Sequence, residues 1–327
     1  MRISIGYSGS THLPLTLPAV DAAERAGLSG VWSAEHVGMN DAIVPSAVYA
    51  TRTSRLEIGV MGLNADTRSP GVLAMELATL SSIAPGRVRA HIGTGSPQRA
   101  TQIGVRSPRT LGGVEAFADA LRRLLRGEQV TARSEAFELD AMTISTADDT
   151  LPPVPIDIMA IRPKMTALAA RIGDGLSLSV GSSHDYLRSQ VELVERVLQD
   201  QGRERGAFRV SAAVLASVDA DLDSARMAMA TALAGFPPGL PEMVAGLELP
   251  DPAAVAAAKA EGGPAHAATL FTFDTVEALG LVATPQTLAA AIERYRSDGV
   301  DELIVLPLAA TEAHPGIIEL LAPAVER

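Results

Sequence analysis

Cysteine is absent from the 327 residues. That excludes disulfide staples, iron–sulfur clusters, thiolate zinc sites and a cysteine nucleophile. Aromatic residues are scarce at 3%, with Trp32 the single tryptophan. No run of roughly 18 uninterrupted apolar residues occurs, so no membrane-spanning segment is expected. Residues 1–7 lack the long apolar core of a secretory signal, and a cytoplasmic location is expected. Positive charge is in deficit: 27 Lys and Arg face 38 Asp and Glu, a net charge of −11. Such a surface disfavours nucleic-acid binding through a broad basic face. Any anionic ligand must be held by local donors, such as helix N-termini and single arginines. The six histidines are scattered without a His-x-x-x-His pair, so no metal site is expected. A Gly-x-Ser-x-Gly elbow and a Gly-Lys-Ser/Thr phosphate loop are both missing, which leaves hydrolase and P-loop chemistry without support.

What is present reads as a folded core. Apolar residues make up 47% and charged residues 20%, the balance of a globular protein. Strands alternate with helices along the chain. Residues 2–7 alternate and are β-branched, as a first strand should be. Thr16 can cap a helix, Pro18 sits in its first turn and Gly27 stops it. Residues 30–34 predict a second strand, 42–53 a helix and 56–61 a third strand. Ser69-Pro70 begins a helix carrying Val72, Met75 and Leu80, and 88–92 form a fourth strand. Further strands are predicted over 156–160, 175–180, 209–218 and 302–306. Further helices are predicted over 114–125, 164–172, 183–201, 222–233 and 285–297, with a terminal helix near 317–325. Residues 127–155 read as a loop or short hairpin. The apolar runs 210–215 and 303–306 suit parallel strands covered on both faces.

About eight strand–helix units in one chain of this length predict an α/β fold, a closed (β/α)8 TIM barrel, as one domain over 1–327. Residues 234–283 break the rhythm with Pro237-Pro238, Pro241, Pro250, Pro252 and Gly262-Gly263-Pro264. They predict an inserted segment of short helices, a candidate lid over the barrel mouth.

In such a barrel, chemistry concentrates where strands end and loops begin. His36 follows the second strand, where an imidazole can act as acid, base or donor near neutral pH; a hydrogen-bonded loop histidine is the alternative. Glu35 points to the opposite side and suits a structural salt bridge. Gly93-Thr94-Gly95-Ser96-Pro97 is a glycine-rich turn after a strand. Its backbone N–H groups can approach a phosphate or a flat ring, or simply close a tight turn. The full Gly-x-Gly-x-x-Gly spacing fails because residue 98 is Gln.

Four segments together resemble the luciferase-like monooxygenase superfamily, whose members bind FMN or the deazaflavin coenzyme F420 on a bacterial-luciferase-like barrel. They are residues 22–36, residues 59–70 with Asn64, Thr67, Arg68 and Pro70, residues 85–96, and residues 284–303. The Asn-x-x-Thr-Arg-x-Pro loop and Ile161-Arg162-Pro163-Lys164-Met165 resemble the F420-dependent branch, which includes the methylenetetrahydromethanopterin reductases. The resemblance implies a bulge with a non-proline cis peptide behind the cofactor ring, falling near Val60-Met61-Gly62. It places His36 beside the cofactor, with His36 and Tyr7 as the nearest donors. Gly93, Thr94 and Gly95 map onto backbone contacts to the cofactor tail. Ala160, Ile161 and Arg162 map onto a segment at its ribityl–phosphate part. Arg162 departs from the small residue usual there, although an arginine can pair with phosphate. The reductases carry a glutamate near the end of strand one; Gly6-Tyr7 stands here, which argues against the methanopterin reaction. The implied function is hydride transfer between F420 and a small organic substrate. An FMN-dependent monooxygenase and a flavin-binding protein without turnover are the alternatives. The resemblance also implies a homodimer formed through barrel helices, for which the alanine-rich helix over 70–82 is suited.

Overall fold

Parallel strands followed by helices account for most of the chain. The computed structural model describes residues 1–65, 67–105, 110–148, 150–235 and 241–325; Pro237-Pro238 lie outside the described residues. The strands are β1 (Arg2–Tyr7), β2 (Gly30–Ala34), β3 (Glu57–Asn64), β4 (Val88–Gly93), β5 (Val130–Arg133), β6 (Glu138–Met142), β7 (Ile156–Met159), β8 (Gly175–Leu178), β9 (Arg209–Val218), β10 (Leu281–Ala283) and β11 (Glu302–Pro307). The helices are α1 (Leu13–Ala26), α2 (Ile43–Arg52), α3 (Pro70–Ile83), α4 (Pro97–Gln102), α5 (Leu111–Leu125), α6 (Pro163–Ile172), α7 (His184–Asp200), α8 (Leu222–Gly235), α9 (Pro252–Ala268), α10 (Phe273–Leu279), α11 (Leu288–Ser297) and α12 (His314–Leu321).

Parallel pairing runs β11-β1-β2-β3-β4-β7-β8, and β9 joins β8 to β11. That closes an eight-stranded (β/α)8 barrel. The short β10, absent from the sequence reading, extends the parallel ladder along the end of β9, from Ala216 to Val218. The expected hairpin is β5 with β6, which pair antiparallel between α5 and β7. The aperiodic segment holds α9, α10 and β10, with α9 packed against α8. Several local expectations differ: Pro18 lies inside α1 rather than in its first turn, and the terminal helix runs His314–Leu321. Thr16 is not a cap but a buried residue inside α1: it donates to the Leu13 carbonyl at 2.7 Å and meets the Tyr49 hydroxyl at 2.8 Å. Pro14 starts the helix earlier, because its fixed φ suits the first turn. On α3 it is Leu73, Leu77 and Leu80 that are buried, whereas Val72 and Met75 face outward. Among the described residues no helix is long and apolar enough to cross a membrane.

The lumen is filled in two parts. Its lower part is polar. Glu302 on β11 accepts from Ser4 at 2.5 Å, Trp32 Nε1 at 3.1 Å and Arg209 at 3.0 Å. Arg209 also reaches Glu57 at 2.5 Å. Asp157 takes a bidentate pair from Arg89 at 2.7 and 2.6 Å and lies 3.0 Å from His91 Nε2. The His91 ring lies tilted against Trp32 with centroids 4.0 Å apart. Trp32 fits because β3 carries Gly59 opposite it; a Cβ there would fall 1.9 Å from the indole. Above this lies an apolar layer of Ala34, Met61 and Ile304 packed on Trp32.

Asp157 is fully buried, which alone would raise its pKa, but His91 and Arg89 outweigh burial and hold it below the usual carboxylate range. A depressed folded value means stability present above the unfolded pKa of about 4 and lost as pH falls through the folded value. Asp157→Asn leaves Arg89 buried without its counter-charge. We expect it to cost about 3–5 kcal/mol at neutral pH, and to flatten the fall of the urea midpoint with acidification below about pH 4. Urea titrations across that range check both. An unchanged midpoint at neutral pH would show that the pair adds nothing.

Candidate active site

The apolar layer forms the floor of the barrel mouth. One irregularity shapes it: the register of β3 against β4 slips between Val60 and Leu63. Gly62 supplies the turn with φ +78°, and a Cβ on it would meet the Glu35 carbonyl oxygen at 2.7 Å. The extra residue reverses the strand's alternation. Met61 belongs to the lumen cluster, yet Leu63 sits in the outer core. Asn64 is thereby brought to the lumen side. Its amide lies so close to Gly95 that a Cβ there would fall 2.1 Å from Oδ1. Every described peptide bond is trans. The cis bond expected near Val60-Met61-Gly62 is therefore corrected: a trans bulge with a positive-φ glycine turns the chain instead.

Beside the bulge stands the end of β2. Glu35 N donates to the Met61 carbonyl at 2.8 Å. The Glu35 carboxylate pairs with Arg68, which also grips Glu76. Glu35 is thus a structural anchor, as its position in the sequence suggested. His36 is exposed, and its Nδ1 accepts from Gly9 N at 3.1 Å. An accepting Nδ1 puts the proton of the neutral ring on Nε2, so the ring can donate from there. Asn40 fixes this arrangement by donating from N to the Gly9 carbonyl at 3.0 Å and from Nδ2 to the Thr11 carbonyl at 2.9 Å.

Tyr7 lies elsewhere. Its ring is buried on the helix side of β1, stacked on His314 of α12 at 5.8 Å and tilted against Tyr49 of α2 at 6.3 Å. Burial pushes its pKa far above the phenol's ordinary value, with Tyr49 adding to the rise. Its hydroxyl is buried without a hydrogen-bond partner among the described residues. The structure therefore does not bring Tyr7 to the His36 side. Val60 also faces the outer core, so only its backbone borders the bulge.

The opposite rim is built by β7 and β8. Gly93 faces Met159, whose Cβ a Cβ on Gly93 would meet at 3.0 Å. Thr94 and Gly95 follow at the surface. Ala160 is buried, and the Tyr186 hydroxyl donates to the Ile161 carbonyl at 2.6 Å. Arg162 is the N-cap of α6, with its Nε 3.7 Å from Glu242 Oε1. Three residues here escaped sequence reasoning. Asn40 is in an exposed loop and Glu242 in the aperiodic segment, and neither carries a pattern. The role of Tyr186 depends on how α7 packs on α6. Its place in the first turn of a predicted helix was the available signal.

The chain is similar to known proteins. The sequence pattern of the luciferase-like monooxygenases matches residues 4–302. The chain is 32% identical over 212 residues to the F420-dependent glucose-6-phosphate dehydrogenase of Kineococcus radiotolerans, covering 61% of this chain and 62% of that protein. It is 26% identical over 289 residues to the 5,10-methylenetetrahydromethanopterin reductase of Methanolobus tindarius, covering 86% of each. Among solved structures, the coenzyme F420-dependent tetrahydromethanopterin reductase of Methanopyrus kandleri superposes with a TM-score of 0.86 at 21% identity, over 99% of this chain and 98% of that one.

The bulge makes one claim that stability can test. Gly62→Ala must relieve both a positive φ and a close backbone approach, whereas Gly27→Ala meets only the φ cost, with nothing within 4 Å. We expect Gly27→Ala to lose about 1 kcal/mol and Gly62→Ala to lose about 2–4 kcal/mol, adding the clash. Urea unfolding followed by Trp32 emission gives both values. Equal losses would show that the bulge is not held against Glu35.

Proposed function

The chain belongs to the luciferase-like monooxygenase family, and we propose that it is an oxidoreductase transferring a hydride between coenzyme F420 and a small organic substrate. One observation carries the reading: the bulge between Val60 and Leu63 sets Gly62 beside an apolar floor and aims Asn64 at Gly95. In this reading the backbone of the bulge and the apolar floor of Ala34, Met61 and Ile304 would together seat a planar heterocycle at the barrel mouth. F420 dependence in the names of relatives supports the choice of cofactor. When bound, F420 supplies hydride chemistry at its ring carbon C5.

The chain's own residues would do the following. Backbone at Val60, Met61 and Gly62 would back the ring, and the floor would keep water from it. Asn64 would hydrogen-bond beside it. Gly93, Thr94 and Gly95 would meet the tail through backbone groups, and Ala160, Ile161 and Arg162 its ribityl–phosphate part. His36, donating from Nε2, would stabilise charge on the ring or substrate. Tyr7 would support the end of β1 from behind rather than touch substrate. The same chain would form a homodimer through α3, whose Val72 (49% exposed), Met75 (53%) and Ile83 (39%) present apolar surface outward.

Titrations with F420 and with FMN, followed by Trp32 emission, test the cofactor. F420 is expected to bind more tightly. Tight FMN binding with no response to F420 would replace the reading with a flavin monooxygenase. Bound cofactor that no substrate or oxidant can cycle would leave a binding protein. His36→Ala is expected to lower turnover about 100-fold while cofactor affinity stays within about threefold. Wild-type turnover in that variant would remove His36 from the chemistry. Light scattering is expected to give a dimer at micromolar concentration, and a monomer there would contradict the α3 interface.

A further inference from the structure

The rim at the start of α6 carries charge against its local field. A helix N-terminus is the positive end of the dipole and disfavours cations. Yet Arg162 stands at the N-cap of α6, Lys164 follows in the first turn, and no acidic residue shares that turn. Lys164 is exposed, and its ammonium makes no ion pair among the described residues. It is one of two lysines in the whole sequence, the other being Lys259. The anion that answers Arg162 comes from the chain itself. Glu242 Oε1 lies 3.7 Å from Arg162 Nε. Glu242 belongs to the turn Pro241–Val244, which Ser183 N ties to the rim through the Met243 carbonyl at 2.9 Å. The Arg162 and Glu242 side chains are 68% and 46% exposed. Such a pair is weak. A phosphate offers arginine two charged oxygens in a matching geometry and binds it better.

We propose that Glu242 is a placeholder carboxylate: it covers Arg162 until the phosphate-bearing tail of the cofactor enters, so that displacing Glu242 makes binding selective for an anionic tail. The proposal rests on the F420 reading above. The other account of the pair is purely structural, a surface tie that holds the 241–244 turn on the rim. The two accounts differ in what removal of the charge does. A placeholder, once removed, favours only ligands that carry the tail. A tie, once removed, loosens the rim for every ligand alike.

The experiment titrates two ligands, F420 and its deazaflavin chromophore lacking the phosphate-bearing tail. Quenching of Trp32 emission reads binding without turnover. The proteins are the wild type, Glu242→Gln, Arg162→Met and the double variant. Glu242→Gln is expected to bind F420 about threefold more tightly at low salt, with the gain fading as salt is raised. It is expected to leave the tail-less chromophore unchanged. Arg162→Met should weaken F420, and on that background Glu242→Gln should give no further gain. An unchanged F420 affinity in Glu242→Gln overturns the proposal while leaving the cofactor reading intact. So does an equal gain for both ligands, or a gain that persists without Arg162. Binding of neither ligand to any of the four proteins overturns the cofactor reading and this proposal with it.

Discussion

A single buried carboxylate ties the barrel shut. Glu302 gathers Ser4 from β1, Trp32 from β2 and Arg209 from β9 around itself on β11. Burial opposes its charge, yet Arg209, Arg2 and the Ser4 hydroxyl hold its pKa below the ordinary range. A carboxylate out of water is tolerable only when it is paired and hydrogen-bonded in this way. The arrangement couples the first strand to the last, so it forms only when the ring closes. Local packing of any single βα unit cannot supply it. Arg89, Asp157 and His91 repeat the pattern on the other side of the lumen.

That polar lower half frees the upper half for a different task. Trp32 spans the two: its Nε1 binds Glu302 below, and its ring carries Ala34, Met61 and Ile304 above. The floor of the mouth is therefore apolar, and it rests on a rigid, charged base. On this floor the β3 bulge is the one departure from regular pleating. It re-aims Asn64 and brings Gly62 against the Glu35 backbone, whose carboxylate is itself fixed by Arg68. Position at the mouth is thus inherited from strand to strand rather than set by a flexible loop. His36 benefits directly, because its own residue follows the anchored Glu35 and its ring accepts from Gly9.

The βα rhythm was legible because buried parallel strands and amphipathic helices leave different periods in sequence. Gly27 and Ser69-Pro70 marked real helix ends. Glu35 was legible as a structural anchor from its parity with His36. What escaped depended on partners distant in sequence. Tyr7 ends a strand and so looked like a mouth residue. The parity of β1 instead turns it toward α2 and α12, a fact set by which side Ile3 and Ile5 bury. Val72 and Met75 fitted a helix pattern, yet the nearly all-apolar α3 offers little periodic contrast to say which face turns inward. The trans bulge in place of a cis bond could not be read at all, since Gly62 permits either route. Asn40 and Glu242 act through contacts across loops that leave no spacing behind.

Charge closes the account. A chain of net charge −11 repels an anionic ligand over most of its surface, so a phosphate-bearing cofactor must be drawn in by a short-range exception. Arg162 and Lys164 at the start of α6 are such an exception. Left bare, they would collect any anion that diffused by. Glu242, carried on a segment outside the βα repeat, pairs with the arginine at little cost because both groups remain largely in water. A weak internal partner of this kind would tune selectivity better than a strong one: it would turn away weakly held anions, yet yield to a phosphate held by two oxygens. In the reading proposed above, the inserted segment would bear the one carboxylate that meets a helix start whose first turn has no acidic residue.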